Sequence, residues 1–161
     1  MRAINTNARG FTLIELVVTV AILGVLAMMA VPMLEATAQR EKETQLRAAL
    51  REIRTAIDAY HQAVLDKKIE AAADASGYPP DLESLVRGVA EITRPDHRPI
   101  YFLRRLPRDP FHPNPETPAA ETWGLRSYAS APDEPKAGED VFDVFSLAGK
   151  KGLNGVAYRE W

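Results

Sequence analysis

Two kinds of hydrophobic patterning run along the chain. Residues 16–34, LVVTVAILGVLAMMAVPML, carry no charge. With Phe11 to Ile14 they approach the roughly 20 residues that cross a bilayer core of about 30 Å as a helix. After a polar stretch, EATAQREKETQ, the residues Leu46, Leu50, Ile53, Ile57, Tyr60 and Val64 recur at steps of four and three. That spacing lines one face of an amphipathic helix, and a core face is preferred to a coiled-coil seam. The pattern predicts one long helix reaching about Ala73, with Gly77 past its end and Pro79-Pro80 forbidding continuation. Sixty-odd residues at 1.5 Å each span about 90 Å, far too long for a globular core. The first half therefore belongs in membrane or fibre, and the C-terminal part of the chain must cover the second.

Asp81 to Val89 reads as a short helix with Asp81 as its N-cap. Beyond it, Ile100 to Leu103, Leu125 to Ala129 and Val141 to Leu147 are strand candidates, separated by the proline-rich acidic loops HPNPETPAAE and APDEPKAGED. The expected fold is α+β: a long N-terminal helix packed by its second half on a small antiparallel sheet of about three strands.

Charge and composition narrow the classes. The chain of 161 residues has room for one core plus an appended segment, and 20 Lys and Arg against 22 Asp and Glu give no basic surface for nucleic acid. There is no cysteine, so no disulfide holds the loops. Arg2 and Arg9 precede the apolar run with no acidic residue beside them, which keeps the N-terminus cytoplasmic and sends residues after about Glu35 across the membrane. Glu15 is the anomaly, the only charge between Arg9 and Glu35. A carboxylate at the centre of a span costs about 2.5 to 3.5 kcal/mol on insertion scales, and such residues usually have a job and a partner. A secretory signal peptide is the rival reading, with Ala36-Thr37-Ala38 as an A-x-A cleavage pattern. Its apolar region would be unusually long, and it has no use for Glu15.

Gly10-Phe11-Thr12-Leu13-Ile14-Glu15 followed by an apolar run resembles the class III leader of type IV pilins and type II secretion pseudopilins. The resemblance implies a cleaved leader (residues 1–10), a membrane and assembly segment (11–34) and a periplasmic head that includes the second half of the helix (35–161). A prepilin peptidase would cut between Gly10 and Phe11 and methylate Phe11. Glu15 would pair with the Phe11 amine of a neighbouring subunit, so that two charges uncomfortable in hydrocarbon cancel on assembly. Gly24 and Pro32 interrupt the helix, and related filaments loosen between such positions on assembly.

Tyr78-Pro79, the segment YFLRRLPRDPF from Tyr101 to Phe111, Asp143-Val144-Phe145-Ser146-Leu147 and Trp161 are similar to the major pseudopilin of type II secretion systems. In LPRDP, Pro107 and Pro110 fix an extended turn and Asp109 can accept backbone hydrogen bonds. The resemblance implies a homo-oligomeric inner-membrane subunit that polymerises into a periplasmic pseudopilus driving export of folded proteins. Its partners would be minor pseudopilins, the prepilin peptidase and an inner-membrane assembly platform. Alternatives are a type IV pilin forming a surface fibre, against which the missing cysteines count mildly, and an anchored or secreted binding domain. The family binds calcium in the loop after its Phe-Ser-Leu strand. Here that loop reads AGKKGLNGVAYREW, with Lys150 and Lys151 where carboxylates are expected and Glu160 as its sole acid. Calcium takes six to eight oxygens, several of them anionic, so a calcium site is disfavoured though left open, and no other cofactor is expected. The lysines are instead candidates to meet Glu139, Asp140 or Glu160. No enzyme is indicated: His61, His97 and His112 lack metal-ligand spacing, and the glycines from Gly149 to Gly155 fail the P-loop pattern and read as a turn.

Overall fold

The computed structural model describes residues 10–71, 75–96 and 98–161, with the side chains of Met29, Ala30 and Pro32 outside that description. Residues 1–9, with Arg2 and Arg9, and also Ala73 and His97 lie outside it. Residues up to Gln39 form one unit and Arg40–Trp161 a second. The long helix α1 is Leu13–Leu65.

In the first unit every described side chain of residues 11–34 is exposed, from Phe11 through the apolar run to Leu34. Periodicity is absent there because no single face is being buried. In the second unit the expected stripe holds: Leu46, Leu50, Ile53, Ile57 and Tyr60 are buried and Val64 packs against them.

α1 ends earlier than the sequence suggests. The Lys68 N–H donates to the Ala63 carbonyl at 2.9 Å and the Lys67 N–H to the Val64 carbonyl at 2.9 Å, while Lys67 takes a positive φ of 56°. This is a Schellman termination with lysine at the left-handed position that glycine usually fills. Without a glycine there, the sequence pointed to Gly77 as the nearest stop.

The single sheet of about three strands is corrected to two antiparallel pairs among the described residues. β1 (Val89–Ala90) pairs with β2 (Pro99–Ile100), and β3 (Trp123–Arg126) with β4 (Asp143–Ser146). The short helix α2 is Glu83–Arg87, and Gly88 at φ 80° breaks it so that Val89 starts a strand rather than ending a helix. Asp81 still caps α2, its Oδ1 accepting the Ser84 N–H at 2.6 Å. The candidate strand from Ile100 to Leu103 stops after one residue because the Phe102 and Leu103 N–H groups both donate to the Leu85 carbonyl, at 3.0 and 2.9 Å. In β3, the Phe145 ring lies where a Cβ on Gly124 would stand, so glycine is required for that cross-strand contact.

The pairs are too small to make a core of their own. Leu82, Leu85, Leu103, Trp123, Val144 and Tyr158 join the helix stripe in one hydrophobic cluster. The LPRDP segment is fixed to β4 within it. Asp109 is 3% exposed, and its Oδ1 accepts the Phe111 N–H at 2.8 Å while its Oδ2 accepts the Ser146 hydroxyl at 2.5 Å. Trp123 adds a hydrogen bond from its indole N–H to the Pro107 carbonyl at 2.9 Å.

Asp109→Ala should therefore destabilise the second unit by about 3 kcal/mol, since it leaves the buried Ser146 hydroxyl and the part-buried Phe111 N–H unpaired; Ser146→Ala should cost about 2 kcal/mol, because it leaves one oxygen of a buried carboxylate without its donor. Denaturation followed by tryptophan fluorescence reads this unit alone, because the chain's 2 tryptophans, Trp123 and Trp161, both lie in it. Equal small losses for the two variants would remove Asp109 as the pin.

Candidate functional site

The N-terminal site is built on the first turn of α1. Gly10 and Phe11 are exposed, and nothing lies within 4 Å of where a Cβ on Gly10 would stand. Thr12 and Glu15 form a reciprocal cap. Glu15 Oε2 accepts the Thr12 N–H at 3.1 Å and the Thr12 hydroxyl at 2.9 Å, and the Glu15 N–H donates to Thr12 Oγ1 at 3.3 Å. This is a T-x-x-E capping box, which satisfies donors that a helix start would otherwise leave unpaired. The spacing is visible in the sequence, but a charge at the head of an apolar run points first to assembly rather than to a cap. Among the described residues Glu15 Oε1 makes no hydrogen bond, so the cap engages one oxygen and leaves the other presented at the surface. Farther along, α1 passes through Gly24 with nothing near its Cβ position and through Pro32 with its backbone helical.

The loop after β4 is the second region singled out by sequence. Lys150 and Lys151 are exposed, and among the described residues neither forms an ion pair with Glu139, Asp140 or Glu160. Their backbones are what the loop uses: Lys151 bridges Ala157, and the Tyr158 N–H donates to the Lys150 carbonyl at 3.2 Å. Glu160 is exposed on a 3-10 turn, Tyr158–Glu160. The glycine run is a turn, with the Gly155 N–H on the Gly152 carbonyl at 2.9 Å and the Gly152 N–H on the Val156 carbonyl at 2.8 Å.

Two α1 residues that sequence reasoning passed over hold this region. Glu43 Oε1 accepts the Leu153 N–H at 2.8 Å and the Tyr158 hydroxyl at 3.0 Å. Arg54 bonds Asp143 Oδ1 at 2.7 Å through Nε, and its Nη2 reaches the Val144 carbonyl at 3.1 Å and the Trp161 carbonyl at 2.8 Å. The available signal was register: Glu43 lies three residues before Leu46, which puts a carboxylate in line with the apolar stripe.

Asp140 also differs from the solvated loop residue it resembles in sequence. Partial burial alone would raise its pKa, but hydrogen bonds from the Ser76 side chain, the Tyr128 N–H and the Ser127 side chain outweigh this and hold it below the ordinary aspartate value. Its hold on the 127–140 loop is thus present at neutral pH, above the unfolded-state value, and fades as pH falls through the lowered one. His61 stacks on Tyr78 with ring centroids 4.2 Å apart, and His112 contacts the Asn114 carbonyl at 3.2 Å.

Residues 5–31 match the family model for the prokaryotic N-terminal methylation motif. The chain is 30% identical over 149 residues to type II secretion system core protein G of Vibrio cholerae, an alignment covering 91% of this chain and 86% of the relative. The Pseudomonas aeruginosa protein of the same description is 30% identical over 149 residues, covering 89% and 86%. That of Klebsiella pneumoniae is 32% identical over 107 residues, covering 64% and 69%. No solved structure gives a significant match. The described part of α1 includes a stretch long and apolar enough to cross a membrane, which fits inner-membrane anchoring. A methylation motif at one end and likeness across nearly the whole length place the chain in the type II secretion system core protein G family, the major pseudopilins.

Proposed function

We propose that the chain is a structural subunit, cut after Gly10 and methylated on Phe11 by a prepilin peptidase, that polymerises into a periplasmic pseudopilus and helps drive folded proteins out. The observation that carries this reading is Glu15 in the first turn of α1, at the head of an apolar run whose described side chains are exposed, with one carboxylate oxygen committed to Thr12 and no hydrogen bond to the other among the described residues. Residues 1–10 are then the leader, residues 11–34 the membrane and assembly segment, and residues 35–161 the periplasmic head, with the N-terminus cytoplasmic. An exposed apolar surface of this extent needs a bilayer or other copies of itself as its environment. In the membrane it meets lipid; in the fibre it meets neighbouring helices. The Phe11 amine and Glu15 are costly separately and cancel when a neighbour brings them together. Gly24 and Pro32 bound the stretch that would loosen on assembly, since proline removes a helical hydrogen bond and glycine stabilises helix poorly. The partners this role requires are minor pseudopilins, the peptidase and the inner-membrane assembly platform. The role is structural and needs no catalytic residue.

Two substitutions test it. Gly10→Arg should leave the leader attached, because a small residue at the cut is replaced by a bulky charged one; the readout is the size of the membrane-inserted protein. Normal processing of that variant would defeat the leader assignment. Glu15→Ala should insert and be processed normally but fail to assemble, since the neighbour's amine would then be buried unpaired at a cost of about 3 to 5 kcal/mol. Sheared or crosslinked filament yield measures this, and yield equal to the parent chain would remove the charge pair from the mechanism.

A further inference from the structure

The loop after β4 has the chain position of a calcium loop in the resembled family, and its donor set does not fit a calcium ion. Calcium needs six to eight oxygens, several of them anionic. Here the carbonyls of Lys150, Gly152 and Val156 already accept hydrogen bonds within the loop, and Asn154 Oδ1 accepts the Val156 N–H at 3.1 Å. Two lysines stand exposed where acids are expected, and among the described residues no three acidic, histidine or cysteine side chains come together.

We infer that the loop is closed by a clasp of α1 side chains, with the Glu43 carboxylate as its centre, and that this closure is independent of calcium. Glu43 is 7% exposed. It receives the Leu153 N–H from one arm of the loop and the Tyr158 hydroxyl from the other, at 2.8 and 3.0 Å. Where a metal would gather oxygens around a cation, this arrangement gathers N–H and O–H donors around an anion. The polarity is inverted, so the loop needs no acidic side chains of its own, and its two exposed lysines take no part in the closure. Arg54 supplies the complementary half. It lies eleven residues after Glu43, three turns along the same helical face, and donates to the Trp161 and Val144 carbonyls. Arg47, between them, lies over the Trp161 ring at 4.3 Å from its centroid, and Trp161 packs edge-on against Tyr158. The loop is therefore fastened to three helix residues, one acidic and two basic, and buried charge-assisted bonds such as those of Glu43 are the strong ones.

The test uses the full chain in detergent micelles. Thermal melts followed by tryptophan fluorescence are compared in calcium and in excess chelator, and amide exchange is read at Leu153. The parent chain should melt at the same temperature in both. Glu43→Ala should speed exchange of the Leu153 amide by roughly tenfold or more, the factor equivalent to about 1.4 kcal/mol, with no recovery on adding calcium. Tyr158→Phe should show the same change in a weaker form, and replacing Lys150 and Lys151 together by alanine should change neither readout. A parent melt that rises with calcium, unchanged Leu153 exchange in Glu43→Ala, or loss of the loop in the double lysine variant would each overturn the clasp. If Glu43→Ala does not fold, the parent's response to calcium and the exchange in Tyr158→Phe decide the matter.

Discussion

Burial of the α1 stripe is the contact on which the second unit depends. A two-residue strand pair and a four-residue pair cannot hold together in water alone. They persist because Leu46, Leu50, Ile53 and Ile57 give them a surface to cover. Each such side chain contributes about 1.5 to 3 kcal/mol when removed from water. The polar contacts then decide which arrangement of short segments covers the stripe. Asp109 ties LPRDP to β4, Asp140 ties the loop before β4 to Tyr128, and Glu43 and Arg54 tie the last loop back to the helix itself. With no cysteine available, hydrogen bonds between distant segments take the place of covalent staples.

The first unit obeys the opposite rule. Its apolar residues from Phe11 to Leu34 have no stripe because no single protein face is their partner, and those whose side chains are described are exposed. Such a surface is stable only in lipid or against copies of itself, which makes membership of a membrane-anchored pseudopilin family physically coherent. The capping box at Thr12 and Glu15 adds a local reason for the misplaced carboxylate: it stabilises the helix start.

Much of this was legible in the sequence. The uncharged run, the four-three stripe and the glycine-phenylalanine-glutamate spacing are periodic or motif signals that need no tertiary information. Asp109 was readable because two prolines leave its neighbourhood few conformations. The features that were not legible depended on contacts between distant segments or on unusual backbone. Lys67 ends α1 in a conformation that favours glycine, so the usual punctuation was missing. Leu85 captures the amides of Phe102 and Leu103, and that competition ended a strand that local propensity favoured. Lys150 and Lys151 are the visible departure from the family, while the compensating residue, Glu43, lies more than a hundred positions earlier, where it looks like part of a polar stretch.

The whole reading of the first unit requires that the apolar half of α1 stays with the mature protein and begins at Phe11. Mass spectrometry of the N-terminal peptide from membrane-extracted protein decides this. The expected peptide begins at Phe11 and is heavier by one methyl group on its amine. A mature protein beginning at Gln39, after Ala36-Thr37-Ala38, would show instead that the segment is a signal peptide, and the pseudopilus assignment would fall with it.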